Sequence, residues 1–187
     1  MNCRRVVGRA LIALACCAWL SGCLATFDDL LGEGEKAPPG LLGRWVARDA
    51  WGEHVNLDIR RTGPRRYSAI SFPPGTQGSR DEAPFRVSRH GERWYASAPL
   101  PEAYGGRYTL VGFELTAQGE LVVYSLDLGP LRGAIASHDL QGEPFDTEQG
   151  PGVAVRTAPE QVFAWLDDPA HSDAFTEIAR YRRAGRN

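Results

Sequence analysis

Histidine, serine and carboxylate side chains most often carry chemistry, and their spacing in this sequence matches no catalytic or metal-site pattern. The four histidines are His54, His90, His138 and His171, and no two have the i, i+4 spacing of a helical metal pair. The serines fall outside the G-x-S-x-G and S-x-x-K patterns that present a nucleophile. Acidic residues within 139–148 lack the alternation of a calcium loop. We therefore expect no enzyme activity, no metal and no cofactor.

Two groups of arginines and one set of aromatic residues leave binding functions open. Arginine holds phosphate groups through two hydrogen bonds, so each group could bind an anionic head group or glycan. A solvated turn and a chain terminus are the simpler explanations. The aromatic side chains would line an apolar cavity inside a barrel or fill its core. The arginines are Arg60, Arg61, Arg65 and Arg66, then Arg180, Arg182, Arg183 and Arg186; the aromatic residues are Tyr67, Trp94, Tyr95, Tyr104, Tyr108, Phe113 and Tyr124.

Length and composition limit the class of protein. The chain has 187 residues, a formal charge of −2 and 43% hydrophobic residues, which suits one globular domain with tails. This composition excludes a disordered chain and a protein with many membrane spans. The near-neutral charge gives no reason to expect nucleic acid as a partner.

The first 22 residues have the features of an export signal. Three arginines, at 4, 5 and 9, precede the uncharged apolar run 10–20, and Ser21 and Gly22 are the small residues that a cleavage site needs. The run is shorter than the roughly 20 residues of a spanning helix. Its removal would leave Cys23 as the one cysteine of the mature chain, so no internal disulfide would form.

The stretch Leu20-Ser21-Gly22-Cys23 resembles the lipobox of bacterial lipoproteins. The resemblance implies cleavage between Gly22 and Cys23 and acyl chains on Cys23, which would make the membrane a partner. Two or more acyl chains hold a protein firmly on a bilayer. Because the residue after the cysteine is Leu24 rather than aspartate, the resemblance also implies the outer membrane, with the protein on its periplasmic face.

The segment between the cysteine and the first strong strand pattern looks like a linker. Glycine, proline and acidic residues dominate 24–40, so we expect residues 23–40 to be a lipidated cysteine with a flexible tether. The folded domain would then comprise residues 41–187.

The folded domain shows the pattern of a mainly β protein. Alternating strands at 54–60, 66–72, 107–115 and 120–128 are joined by turns, which predicts an antiparallel meander forming a small barrel or sandwich. A capping pattern at Thr157 to Glu160 predicts one C-terminal helix ending near 167. Residues 129–152 read as a loop with one helical turn, followed by an edge strand at 153–156 and a closing strand at 175–181.

Gly43-Arg44-Trp45 opens the first strong strand and resembles the Gly-x-Trp start of lipocalin-like barrels. In that family the tryptophan closes the barrel base and a late arginine stacks on it. The resemblance implies Trp45 with Arg180 or Arg182 as the pair, through a cation–π contact of ~0.5–2 kcal/mol. Trp45 as an ordinary core residue is the alternative.

Two functions follow as expectations. The first is a non-enzymatic interaction or accessory protein of the envelope, anchored to the outer membrane and bound to an unknown envelope protein. The alternative is a lipocalin-like carrier of a small apolar or amphipathic ligand, which an eight-stranded barrel has room to hold. A filled barrel interior would favour the first function, and a cavity of several hundred Å³ the second.

Overall fold

The computed structural model describes residues 24–29, 32–48, 54–73, 80–100, 108–147 and 150–185. Within them lie eleven strands and two α-helices. The strands are β1 (Leu24–Phe27), β2 (Gly43–Arg48), β3 (His54–Gly63), β4 (Arg66–Phe72), β5 (Asp81–His90), β6 (Arg93–Pro99), β7 (Tyr108–Leu115), β8 (Leu121–Leu126), β9 (Gly142–Thr147), β10 (Gly150–Val155) and β11 (Phe175–Arg183). The helices are α1 (Leu128–Ala136) and α2 (Pro159–Asp167), and a 3-10 segment spans Pro169–Ala174.

Eight of the strands close into a barrel. Strands β2 to β8 follow one another in an antiparallel meander, and β11 closes the ring between β8 and β2. The alternating segments predicted at 54–60 and 66–72 are neighbouring strands, and the predicted turns include the hairpins at His90-Gly91 and Gln118-Gly119. The prediction of a mainly β antiparallel fold is confirmed, and a closed barrel is the form it takes.

A three-stranded extension continues from the wall of the barrel. Where β8 leaves β7 and the chain turns into α1, β1 takes its place beside β7, with Phe27 opposite Tyr108. Strand β1 pairs in parallel with β10, and β10 pairs with β9. The predicted edge strand at 153–156 is therefore an inner strand, and the predicted loop contains both α1 and β9.

The expected flexible tether at 23–40 is wrong for its described part. Residues 24–27 are buried in the sheet, and the Glu35 amide donates to the Val87 carbonyl at 2.7 Å. The reason is that Leu24, Ala25 and Phe27 are apolar and meet a partner strand more than 120 residues later in the chain. A four-residue strand flanked by glycine and acidic residues carries too little pattern to reveal that pairing. Within the described chain the folded module therefore begins at Leu24, not at residue 41.

The molecule has two separate apolar cores. The inner core fills the barrel around Trp45, Tyr67, Phe85 and Phe113. The outer core lies on the outside of the barrel wall, where α1, α2 and the extension pack together around Leu131, Val153, Val162, Phe163 and Ala174. One chain thus covers its barrel with a second layer on a single side.

Helix α2 is present as predicted, but it does not use the predicted cap. Its N-cap residue is Ala158, which makes no side-chain hydrogen bond. The Thr157 hydroxyl instead accepts from the Gln141 amide at 2.6 Å, and so joins the helix to the segment that leads into β9. The Thr157 side chain thus makes a tertiary hydrogen bond instead of the predicted local capping bond.

Candidate functional site

The base of the barrel is closed by a tryptophan and an arginine. Trp45 points inward from β2 and is 1% exposed, and its indole nitrogen donates to the Leu41 carbonyl at 2.9 Å. The Arg183 guanidinium lies over the Trp45 ring, 3.9 Å from its centroid. It also donates to the carbonyl of Leu42 at 2.7 Å and to that of Gly40. Partial burial lowers the pKa of Arg183.

The stacking arginine is therefore Arg183, and the predicted pairing of Trp45 with Arg180 or Arg182 is wrong. Arg180 binds Glu120 at 2.9 Å and Glu177 at 2.8 Å, and Arg182 binds Glu120 at 3.1 Å. These two hydrogen-bonding arginines lower the pKa of Glu120. Arg183 stands directly opposite Trp45 in the β11–β2 pairing, on the same face of the sheet.

Gly43 makes room for this stacking. Its φ is +119°, a region that side chains rarely adopt, and a Cβ atom there would lie 2.6 Å from the Arg183 Nη1 atom. The glycine of the Gly-x-Trp motif thus has a physical role in this chain, because its missing side chain lets the guanidinium cross the barrel end.

Residues 35–41 form a strap across the base. The Tyr67 hydroxyl accepts from the Ala37 amide at 2.7 Å and donates to the Glu35 carbonyl at 3.3 Å. The Glu35 carboxylate accepts from the Arg89 amide at 2.8 Å. Leu41 is 2% exposed and belongs to the inner core. The strap therefore closes this end of the barrel with apolar side chains and with hydrogen bonds to two strands.

The opposite half of the barrel interior is lined by smaller side chains. Cross-strand partners share a face, so inward positions follow from the register of Trp45 and Tyr67. Toward the base the buried inward residues are bulky: Trp45, Ile59, Tyr67, Phe85, Phe113 and Leu121. Next to them on the same face lie Leu57, Ala69 and Val123, which are opposite Trp45, Ile59 and Phe113. Toward the other end, hereafter the mouth, the inward residues are partly exposed and mostly small: Val55, Ser71, Asp81, Ala98, Val111 and Ser125.

Some inward residues at the rim of the base are also partly exposed, but their side chains are larger than those toward the mouth. At the base rim those residues are Trp94, Leu115 and Tyr181, which occupy their space with large side chains. Ala69, Ala96 and Ala98 occupy little. In the described part of the barrel, the base end is thus packed with large side chains, and the inward face toward the mouth carries smaller side chains.

Two clefts lie outside the barrel, beside α2. The larger has a volume of 490 Å³ and is lined by Arg93, Tyr95, Glu114, Tyr124 and Phe175 among others. The smaller, of 340 Å³, lies between the strap and the start of α2. In the larger cleft the Arg93 guanidinium stacks on Phe175 at 4.0 Å. Burial raises the pKa of Tyr95 to about 12.

A histidine contact separates the two clefts. His90 Nδ1 lies 2.9 Å from an Asp167 carboxylate oxygen, and the imidazole stacks on Phe163 with ring centroids 4.0 Å apart. This contact joins the β5–β6 turn to the end of α2. No local sequence pattern predicts this contact, because the two residues are 77 positions apart and belong to different elements.

The remaining candidate residues do not gather into a site. Cys23, Gly22, Tyr104 and Arg186 lie outside the described residues. Arg60 is held by Asp58 at 2.6 Å, so the first arginine group is partly neutralised. Among the described residues no cluster of three or more metal-ligating side chains occurs, and no helix has the length and apolar character to cross a membrane.

Comparison with known proteins returns no relative. No protein family model, no curated protein and no solved structure matches the chain. Three features of the structure therefore bear on function: the barrel, the stacking of Arg183 on Trp45 at its base, and the partly exposed apolar side chains of its inner wall.

Proposed function

We propose that this chain is a lipid-anchored, non-enzymatic barrel that holds one small apolar or amphipathic molecule in its open half. The observation that supports the proposal is the unequal lining of the barrel, with large buried side chains at the base and small, partly exposed side chains toward the mouth. An eight-stranded barrel is wide enough to hold one small ligand when its interior is not filled by its own side chains.

The energetics favour an apolar ligand. Half-exposed apolar wall surface is in contact with water, and covering it gains ~25 cal/mol per Å². The inward positions at 69, 71, 96 and 98 carry no charge, and the charged inward residue Asp81, opposite Ser71, lies at the mouth end of β5, where a polar end of the ligand would meet it. Ser71 offers one hydroxyl that would suit a ligand with a single polar group.

The placement of the barrel is a second part of the proposal. Leu20-Ser21-Gly22-Cys23 supports acylation of Cys23, and Leu24 supports sorting to the outer membrane, on its periplasmic face. Loss of residues 1–22 removes three of the 21 basic residues and none of the 23 acidic ones, which leaves a formal charge of −5. Such a charge gives no electrostatic attraction to anionic lipid, so the acyl chains would supply the attachment.

A fluorescence titration tests the ligand. An uncharged naphthylamine probe, which brightens in apolar surroundings, should bind the purified protein with saturation near one molecule per chain. Ala98→Trp places an indole in the half-exposed wall and should abolish most of that binding. Ala117→Trp is the matched control, because Ala117 is exposed in the β7–β8 turn outside the barrel. Equal binding by both variants would exclude the mouth half of the barrel as the site.

Cys23→Ser tests the anchor. Without the thiol no thioether forms, so the variant should leave the detergent phase on phase separation, and its mass should lack the acyl groups. Unchanged partitioning of the Cys23→Ser protein would show that something other than this cysteine holds the chain on the membrane. A wild-type protein that carries no lipid would refute the placement.

A protein partner in the envelope is the second candidate function, and the larger cleft favours it. Glu92, Glu114, Asp167 and Asp168 line this cleft together with Tyr124 and with Phe175, on which Arg93 is stacked. The excess of acidic over basic side chains in this lining suits a basic segment of another protein. Photo-crosslinking from position 92 in intact cells should then trap one defined envelope protein, and Glu114→Lys should weaken that product. No discrete product would leave the ligand-binding function alone.

A further inference from the structure

We infer that His90 regulates the larger cleft, which holds a basic segment less tightly when the imidazole is protonated. The inference rests on the second candidate function, the docking of a basic segment in this cleft. It adds a pH dependence that follows from one carboxylate. Asp167 belongs both to the lining of the cleft and to the contact with His90.

The position of Asp167 couples the histidine to the cleft. Asp167 is the last residue of α2 and lines the larger cleft. Its Oδ2 atom lies 2.9 Å from His90 Nδ1, and 34% of its side chain is exposed. A ligand in the larger cleft therefore reaches this carboxylate, while the imidazole acts on it from the side of the smaller cleft.

The surroundings fix the imidazole and the carboxylate in place. The imidazole stacks on Phe163, which is 2% exposed, with the two ring planes 9° apart. The second carboxylate oxygen of Asp167 faces Gly91, whose φ is +54° and where a Cβ atom would lie 3.1 Å from that oxygen. The missing side chain lets the end of α2 approach the β5–β6 turn. With the carboxylate accepting from Nδ1–H, the other ring nitrogen, Nε2, takes up the proton.

Protonation changes the charge that a ligand meets. Four carboxylates line the larger cleft against one guanidinium, that of Arg93. A positive imidazole 2.9 Å from Asp167 offsets one of these carboxylates and competes with a basic ligand for the same oxygen atom. The affinity of the cleft for a basic ligand should therefore fall with the pH.

The pH interval is that of histidine, whose ordinary pKa places its change of charge between about pH 5 and 8. Carboxylic acids ordinarily titrate near pH 4, so their charge is constant over this interval. An exposed ion pair changes an equilibrium constant by about two- to fivefold. We expect the dissociation constant of a basic ligand to rise by that factor between about pH 8 and about pH 5.5.

Other charged groups surround the imidazole. In its own turn these groups are Arg89, Glu92 and Arg93, the last opposite His90 in the β5–β6 pairing. Across the smaller cleft they are Glu33 and Glu35 before β2, Arg65 in the β3–β4 turn, and Glu160 at the start of α2. Arginine and glutamate side chains ordinarily keep their charge over the histidine interval, so they form a constant background. A change at His90 alone therefore isolates the effect of the imidazole.

Binding of a rhodamine-labelled tetra-arginine peptide, followed by fluorescence anisotropy at constant ionic strength, tests the inference. The peptide keeps its charge, because arginine titrates above about pH 12. The purified chain should bind it about two- to fivefold more weakly at about pH 5.5 than at about pH 8. The midpoint of this change should coincide with the titration of the His90 ring protons in the NMR spectrum. His90→Gln should show the same dissociation constant at both pH values.

Two further variants make the result independent of one substitution. Asp167→Asn removes the shared carboxylate and should give weaker binding without the pH dependence. His171→Gln is the matched control, because His171 also stacks on an aromatic ring, that of Trp165, but its Nδ1 contacts the Trp165 carbonyl rather than a carboxylate. This variant should keep the pH dependence of the wild type.

Glu114→Lys places the peptide in the larger cleft, because it should weaken binding at both pH values. If His90→Gln keeps the pH dependence, or the wild type binds the peptide equally at both pH values, His90 does not regulate the cleft. If the wild type binds no peptide, or Glu114→Lys leaves binding unchanged, the docking function itself fails. The two failures are therefore distinguishable.

Discussion

The inner and outer cores of this molecule are built differently, although they share the barrel wall. In the outer core the side chains of Leu131, Val153, Val162 and Ala174 are fully buried. In the inner core complete burial is confined to the floor, and the wall toward the mouth remains half-exposed. This difference indicates that the fold does not bury the whole of the barrel interior. Packing outside the wall contributes fully buried apolar residues, and the interior toward the mouth is the part to which we assign the proposed ligand.

Truncating one leucine in each core should separate the two most clearly. Leu131→Ala empties a fully buried position in α1 and should reduce the free energy of unfolding by ~2–5 kcal/mol. Leu57→Ala shortens a half-exposed inward residue and should cost about 1 kcal/mol or less. Urea unfolding followed by tryptophan fluorescence measures both. Similar losses from the two variants would mean that the mouth half is as tightly packed as the outer core.

Removing the stacking arginine should have the next largest effect. Arg183→Gln loses the contact over Trp45 and the hydrogen bonds to the carbonyls of Gly40 and Leu42, with an expected loss of ~1–3 kcal/mol. Arg182→Gln is the matched control, since its side chain is 80% exposed and its loss should cost only a small part of that amount. If Arg182→Gln is the more harmful change, the assignment of Arg183 as the base residue fails.

Much of the barrel could be predicted from the sequence, because its strands alternate and its turns contain glycine. The two-residue spacing at 54–60 and the hairpin at Gln118-Gly119 are local signals, and the structure follows them. The outer layer could not be predicted in the same way. Strand β1 is four residues long and its partner lies at 152–155, and β9 is rich in glycine, proline and acidic residues. Their pairing depends on contacts that no short window of sequence contains.

The candidate site could be predicted only in part, because one of its residues lies in a local motif and the other depends on long-range pairing. Trp45 followed from a three-residue motif, whereas its partner required the register of the last strand. Ile178 lies at a bulge in β11, which shifts the residues after it by one position relative to β8. If this bulge is ignored and alternation is counted from the start of the strand, the wrong arginines are placed on the inward face. Taking Tyr181 as inward would have pointed to Arg183, because residues two apart on a strand share a face.

A pH titration of unfolding stability tests one residue of the outer core, and we expect the smallest of these effects from it. Burial raises the pKa of Tyr95 to about 12, against 10 for an exposed tyrosine. The folded state thus favours the neutral phenol, so this contribution to stability is complete below pH 10 and is lost as the pH rises toward 12. Tyr95→Phe should flatten the fall of the urea midpoint over that interval. A fall as steep as in the wild type would assign the alkaline sensitivity to another group.

The presence of a ligand in the open half of the barrel is tested most directly by native mass spectrometry of the acylated chain, purified in mild detergent. We predict a subpopulation that carries one further small molecule, which dissociates on activation and is missing from the Ala98→Trp protein while Ala117→Trp retains it. A wild-type spectrum with no such adduct, even after incubation with the naphthylamine probe, would contradict the account.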